Sequence, residues 1–143
     1  MLAFLAVLAG GFIAIQAGIN SQLGALLKNP LLATAVAFLL SATVSSISVI
    51  LYSKKLPSWQ TVTHIPAYLW FGGFISALGV GLFYFLIPKM GVGPMMSLAL
   101  AGQLVVAILL SHWGVFGLPI VTITPIKLLG ILSLVGGITL INW

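Results

Sequence analysis

The chain has 143 residues, of which 62% are hydrophobic and 3% charged, with five Lys or Arg, no Asp or Glu, and a net charge of +5. Its mean hydropathy of +1.32 excludes a water-soluble domain, which would have too few charged groups to cover its surface. The missing carboxylates exclude proton or cation coupling through a buried acid of this chain, and the absence of Cys excludes disulfides, thiolate catalysis and Cys-based metal sites.

A bilayer core about 30 Å thick needs roughly 20 apolar residues per helix, and five such stretches fit with short connections. The first runs over 2–26. It begins Met1-Leu2-Ala3-Phe4 with no basic segment ahead of it, which reads as a transmembrane helix, not a cleaved signal peptide. Lys28-Asn29-Pro30 ends it. The second covers 31–52, followed by a polar loop, 53–66, that holds Lys54, Lys55, Trp59 and His64. The third covers 67–87 and closes on the expected turn Pro88-Lys89-Met90-Gly91. The fourth covers 92–112, and a Gly- and Pro-interrupted segment, 113–125, leads into the fifth, 126–141. The expectation is an all-α membrane protein, with residues 1–143 forming a single five-helix transmembrane domain.

Five spans put the termini on opposite sides. Lys54, Lys55 and Lys127 then share the N-terminal side, and Lys28 and Lys89 the other, three against two. Short-loop Lys/Arg bias sets orientation. This near balance leaves two readings: a weakly cytoplasmic N-terminus, or insertion both ways with antiparallel pairing. The lysines sit singly or in pairs at the ends of apolar runs, so the basic charge marks membrane boundaries and not nucleic-acid binding.

Small residues recur at helical spacing: Gly10, Ala14 and Gly18 in the first span, Gly73, Ala77 and Gly81 in the third, and Gly130, Ser133 and Gly137 in the fifth. Such stripes allow close helix approach in lipid, within one protomer or between two. Tyr52, Trp59, Trp113 and Trp143 read as interfacial belt residues, as do Tyr68 and Trp70. Of Phe83, Tyr84 and Phe85, one is a candidate for cavity lining.

The polar residues inside the spans carry the functional signal. Gln16 and Asn20 are four residues apart and share a face, opposite the Gly10/Ala14/Gly18 stripe. Gln103 lies in the middle of the fourth span, with Ala107 and, more loosely, Ser111 on its face. Burying an unpaired amide costs about 2–7 kcal/mol. Gln16, Asn20 and Gln103 must therefore meet protein, water or a ligand, either as interhelical hydrogen bonds, Gln103 to Asn20 for example, or as the lining of a central cavity. His64 and His112 are isolated and have no carboxylate beside them, so no metal site is expected, and acid–base or metal catalysis has few players.

Gln16-x-x-x-Asn20, Asn29-Pro30, the run Ile87-Pro88-Lys89-Met90-Gly91, Ala101-Gly102-Gln103-Leu104 and Ser111-His112-Trp113-Gly114-Val115-Phe116-Gly117 together resemble the YdcZ-like bacterial inner-membrane family of the drug/metabolite transporter superfamily. The resemblance covers essentially the whole chain, and the Ala-Gly-Gln segment followed by His-aromatic-Gly is its most specific part. It implies half of a ten-helix transporter, completed as an antiparallel dimer or by an oppositely oriented relative. Gln16, Asn20 and Gln103 correspond to pathway positions, with Ser111 beside them. The family often has Asp where this chain has Ser111, so a role for that acid does not carry over.

The expected function is transport of a small molecule, neutral, amphipathic or cationic, by an antiparallel homodimer in the lipid bilayer, with no cofactor, no metal and no nucleic-acid partner. A cation would have to be held by amides and aromatic faces. The competing readings are a small dual-topology channel and a non-transporting scaffold subunit. An enzyme is not expected.

Overall fold

A computed structural model describes all residues, 1–143. Five helices are long and apolar enough to cross a membrane: Leu2–Leu26, Pro30–Tyr52, Ala67–Met90, Val92–Trp113 and Pro125–Asn142. The shortest, 18 residues, is about 27 Å long at the α-helical rise, enough for the hydrocarbon core. The chain divides into two compact units, Met1–Lys89 and Met90–Trp143.

In the first unit, α1 (Leu2–Leu26) and α2 (Pro30–Tyr52) form a tight hairpin. Lys28 takes a left-handed conformation, φ 51°. Its N–H donates to Ala25 O and that of Asn29 to Gly24 O, at 3.1 and 3.0 Å, the paired bonds of a Schellman stop. Asn29 then starts α2, its side-chain oxygen accepting from the N–H groups of Leu31 and Leu32, with Pro30 in the first helical turn, where its missing N–H costs nothing. Gly24 permits the close approach, because a Cβ there would lie 3.2 Å from Pro30 Cα and 3.3 Å from Ala33 Cβ.

The polar stretch after α2 is not wholly loop. Ser58 accepts from the Thr61 N–H and caps a single turn, α3 (Trp59–Thr63). The third span opens as a 3-10 turn, Ala67–Phe71, and continues as α4 (Gly72–Met90). The turn does not begin at Pro88, because the helix runs through Pro88 to Met90 and ends only at Gly91, φ 88°. Lys89, in the last turn of α4, lies 3.4 Å from the centre of the Phe85 ring. With no acid in the chain, its charge is held by the ring face and the helix C-terminus.

The packing surfaces only partly follow the small-residue stripes. Ala17, Ser21 and Gly24 are the buried positions of α1, Ala33 and Thr34 of α2, and Gly81, Tyr84 and Ile87 of α4. Gly10 and Gly73 are exposed, with open space where a Cβ would sit. The buried line on α1 is therefore rotated from the Gly10/Ala14/Gly18 stripe toward the amides. Asn20 is half-buried at its border, so the polar face adjoins the packing face instead of opposing it.

In the second unit, α5 (Val92–Trp113) and α6 (Pro125–Asn142) pair around Met95 and Ile138. Asn142 Nδ2 donates to Ser97 Oγ at 2.9 Å and ties one end of the pair. At the other end Gly114, φ 60°, terminates α5, and the chain doubles back. Val121 N–H donates to Ser111 O at 2.9 Å, and Ile123 N–H to His112 Nδ1 at 3.4 Å. Thr124 caps α6, and Lys127 Nζ reaches Thr122 O. Gly130 and Ser133 of the fifth-span stripe remain exposed.

Candidate functional site

Asn20 Nδ2 donates to Gln16 Oε1 and to Tyr84 Oη, each at 2.9 Å, and Tyr84 Oη donates to Gln16 Oε1 at 3.0 Å. The three side chains close a triangle between α1 and α4. One turn of helix separates Gln16 from Asn20, which sets both amides on one face. Ala77, Gly81 and Tyr84 follow one another at helical spacing on α4, and a Cβ at Gly81 would lie 3.6 Å from Thr34 Oγ1. The contact is made through side chains, and Tyr84 fills it at 1% exposure, the largest fully buried side chain of the chain.

Above the triangle lies a cleft of about 430 Å³ between α1, α2 and α4. Gln16 and Tyr84 form its polar floor, Ser41 and Ser76 add hydroxyls, and Phe12 and Phe38 supply ring surface. Ser41 is the central residue of α2, Gln16 stands two residues from the centre of α1, and Ser76 lies within a turn of the centre of its span. The cleft is therefore at mid-depth of the three helices. Within the three spans of this unit Ser21, Thr34, Thr43 and Ser48 back-bond to a carbonyl of the preceding turn, which satisfies them in an apolar medium, whereas Ser45 and Ser46 do not. Ser41 and Ser76 make no such bond.

The two remaining sequence candidates lie in the second unit. Gln103 is next to the centre of α5, exposed, and makes no side-chain hydrogen bond within Met90–Trp143. Ser111 lines a smaller groove of about 250 Å³ with Ala107, Val121 and Lys127. Gln16 and Asn20 are thus brought together, while Gln103 and Ser111 stand apart from each other within their unit. No group of three or more His, Cys, Asp or Glu that would hold a metal occurs.

The chain matches, over residues 1–140, the family described as "Putative inner membrane exporter, YdcZ". It belongs to this family. No curated protein and no solved structure matches it. Membership in the YdcZ family, with five helices able to span a bilayer, makes the chain a multi-pass inner-membrane protein and supports a transporter.

Tyr84 is the residue that sequence reasoning did not single out, since it was one aromatic among three. The signal was its hydroxyl. A phenol within an apolar run needs a hydrogen-bond partner once buried, and the line Ala77, Gly81, Tyr84 aims it at whatever helix the small residues admit.

Proposed function

We propose that this YdcZ-family chain carries a small molecule across the inner membrane as an antiparallel homodimer, with the cleft above the Gln16–Asn20–Tyr84 triangle as part of the substrate path. In this reading residues 1–143 act as one five-helix transmembrane domain. Two inverted copies supply ten helices related by a two-fold axis in the membrane plane, a recurring transporter plan with its site near the midplane. Five helices alone are too few to enclose a path and alternate around it.

The observation that carries the proposal is an open, mid-depth cleft whose polar floor is tied to the protein by a closed hydrogen-bond triangle. Polar groups at this depth are costly in lipid and mark pathways. A purely structural amide pair would be sealed by its neighbours, whereas Gln16 and both serines stay open to the cleft. Gln103 adds support from α5, because an exposed amide at mid-span needs cover from protein or water. In a dimer it and Ser111 contribute to the same path. The lysine balance of three against two agrees with insertion in both directions.

The test is orientation. Because the chain has no Cys, single cysteines at the N-terminus and in the 53–66 loop can be labelled with an impermeant reagent in intact cells and in inside-out vesicles. The expected result is labelling of each site from both sides. Labelling from one side only would remove the antiparallel homodimer.

A further inference from the structure

We infer that the cleft between α1, α2 and α4 selects ligands carrying a hydrogen-bond acceptor, a carbonyl or carboxylate oxygen on an apolar body, and discriminates against organic cations. The inference rests on the reading of this cleft as a substrate site.

It follows from which hydrogen-bonding groups the triangle leaves over. Gln16 Oε1 accepts from both Asn20 Nδ2 and Tyr84 Oη, which occupies both its lone pairs. The single phenolic proton of Tyr84 goes to Gln16, and its oxygen takes the second hydrogen of Asn20 Nδ2. Gln16 Nε2 is then the free end of the one amide that lines the cleft, and it carries two N–H donors. Ser41 and Ser76, not back-bonded, each offer an O–H. Against these donors, the only uncommitted side-chain oxygens lining the cleft are the two serine hydroxyls.

Charge points the same way. The chain has no carboxylate to compensate an ammonium at mid-depth. The rings of Phe12 and Phe38 are the substitutes, and a cation over a ring gains less than desolvating the ion costs. The same rings, with aliphatic neighbours, suit an apolar body, and about 430 Å³ accommodates a bicyclic aromatic. Turning both amides over would also keep the triangle closed but would present Gln16 Oε1 to the cleft. That arrangement would receive an ammonium, so a cation probe separates the two.

The experiment uses the full chain in lipid nanodiscs, with empty nanodiscs as the blank, and four probes of one shape: naphthalene carboxamide, naphthoate, naphthylmethylammonium and methylnaphthalene. The carboxamide should bind about tenfold or more tighter than the ammonium and methylnaphthalene, as expected for hydrogen bonds formed to open donors. Naphthoate binding alongside it would extend the acceptor class to anions, and carboxamide binding alone would confine it to neutral ligands. Gln16→Glu keeps an oxygen for the triangle and turns the free end into an acceptor, so the preference should reverse toward the ammonium. Ser76→Ala, outside the triangle, should weaken the carboxamide while leaving methylnaphthalene unchanged. Ammonium preferred by the unmodified chain, with binding weakened by Phe38→Ala, would overturn the acceptor inference and leave the cleft as a site. Binding of no probe, or binding insensitive to both Ser76→Ala and Phe38→Ala, would overturn the inference and the reading of the cleft together.

Discussion

Asn20 and Tyr84 are 64 residues apart in the chain, and their side chains meet at 2.9 Å. This is a hydrogen bond between two different spans in the first unit, and with Gln16 it fixes the rotation of α1 against α4. Tyr84→Phe keeps the ring in its pocket but leaves one hydrogen of Asn20 and one lone pair of Gln16 without a partner. Leaving a buried polar group unpaired costs about 1–3 kcal/mol. Within membranes the measured pairwise coupling averages only about 0.6 kcal/mol, with a maximum near 1.7, because the reference state also finds partners. The membrane figure governs here. A double-mutant cycle of Asn20→Ala and Tyr84→Phe should therefore give a coupling of about 0.6–1.7 kcal/mol in reversible unfolding, and no coupling between them would dissolve the triangle.

Much of this arrangement is legible in the residues and some is not. The five spans follow from apolar run length, and the pairing of Gln16 with Asn20 follows from four-residue spacing. The position of the packing line on α1 does not follow. Gly10, Ala14 and Gly18 form the more regular stripe, yet burial falls on Ala17, Ser21 and Gly24. The three-residue hairpin at Leu27–Asn29 fixes which end of α1 meets α2, and contact begins beside it. Pro88 misleads for a related reason. A proline usually ends a helix when its ring meets the carbonyl four residues earlier, but here only one turn remains, and Gly91 supplies the sharper break.

The hairpin contact gives a second prediction. A Cβ at Gly24 would press on Pro30 Cα and Ala33 Cβ at 3.2 and 3.3 Å, whereas one at Gly10 meets nothing within 4 Å. Gly24→Val should lower stability by about 1–3 kcal/mol, the usual range for overpacking. Gly10→Ala should be neutral or slightly stabilising, since Ala is the better helix former. Thermal unfolding of the two variants in detergent checks this, and equal losses would place the tight contact elsewhere on α1.

Lys28 joins backbone strain to membrane orientation. Its φ of 51° lies in the region that favours glycine, so Lys28→Gly should stabilise the hairpin by about 1 kcal/mol. The same change leaves Lys89 alone against Lys54, Lys55 and Lys127, three against one, and should commit the N-terminus to the cytoplasmic side. An N-terminal cysteine would then be labelled in inside-out vesicles only. If the working unit is an antiparallel homodimer, this more stable chain should be less active, and activity should return when an oppositely biased copy is co-expressed. Undiminished activity from a single orientation would count against the dimer.

The pH dependence of transport tests what a chain without acids can do. Coupled carriers commonly load and release protons on an intramembrane carboxylate, and this chain has none. The His64 ring nitrogen lies 2.6 Å from Gln60 O, outside the five spans. His112 Nδ1 accepts from the Ile123 N–H at 3.4 Å and helps hold the returning segment onto the end of α5. Transport in proteoliposomes should therefore show no midpoint in the carboxylate range. A carboxylate-like midpoint would mean that a second, acid-bearing chain completes the transporter.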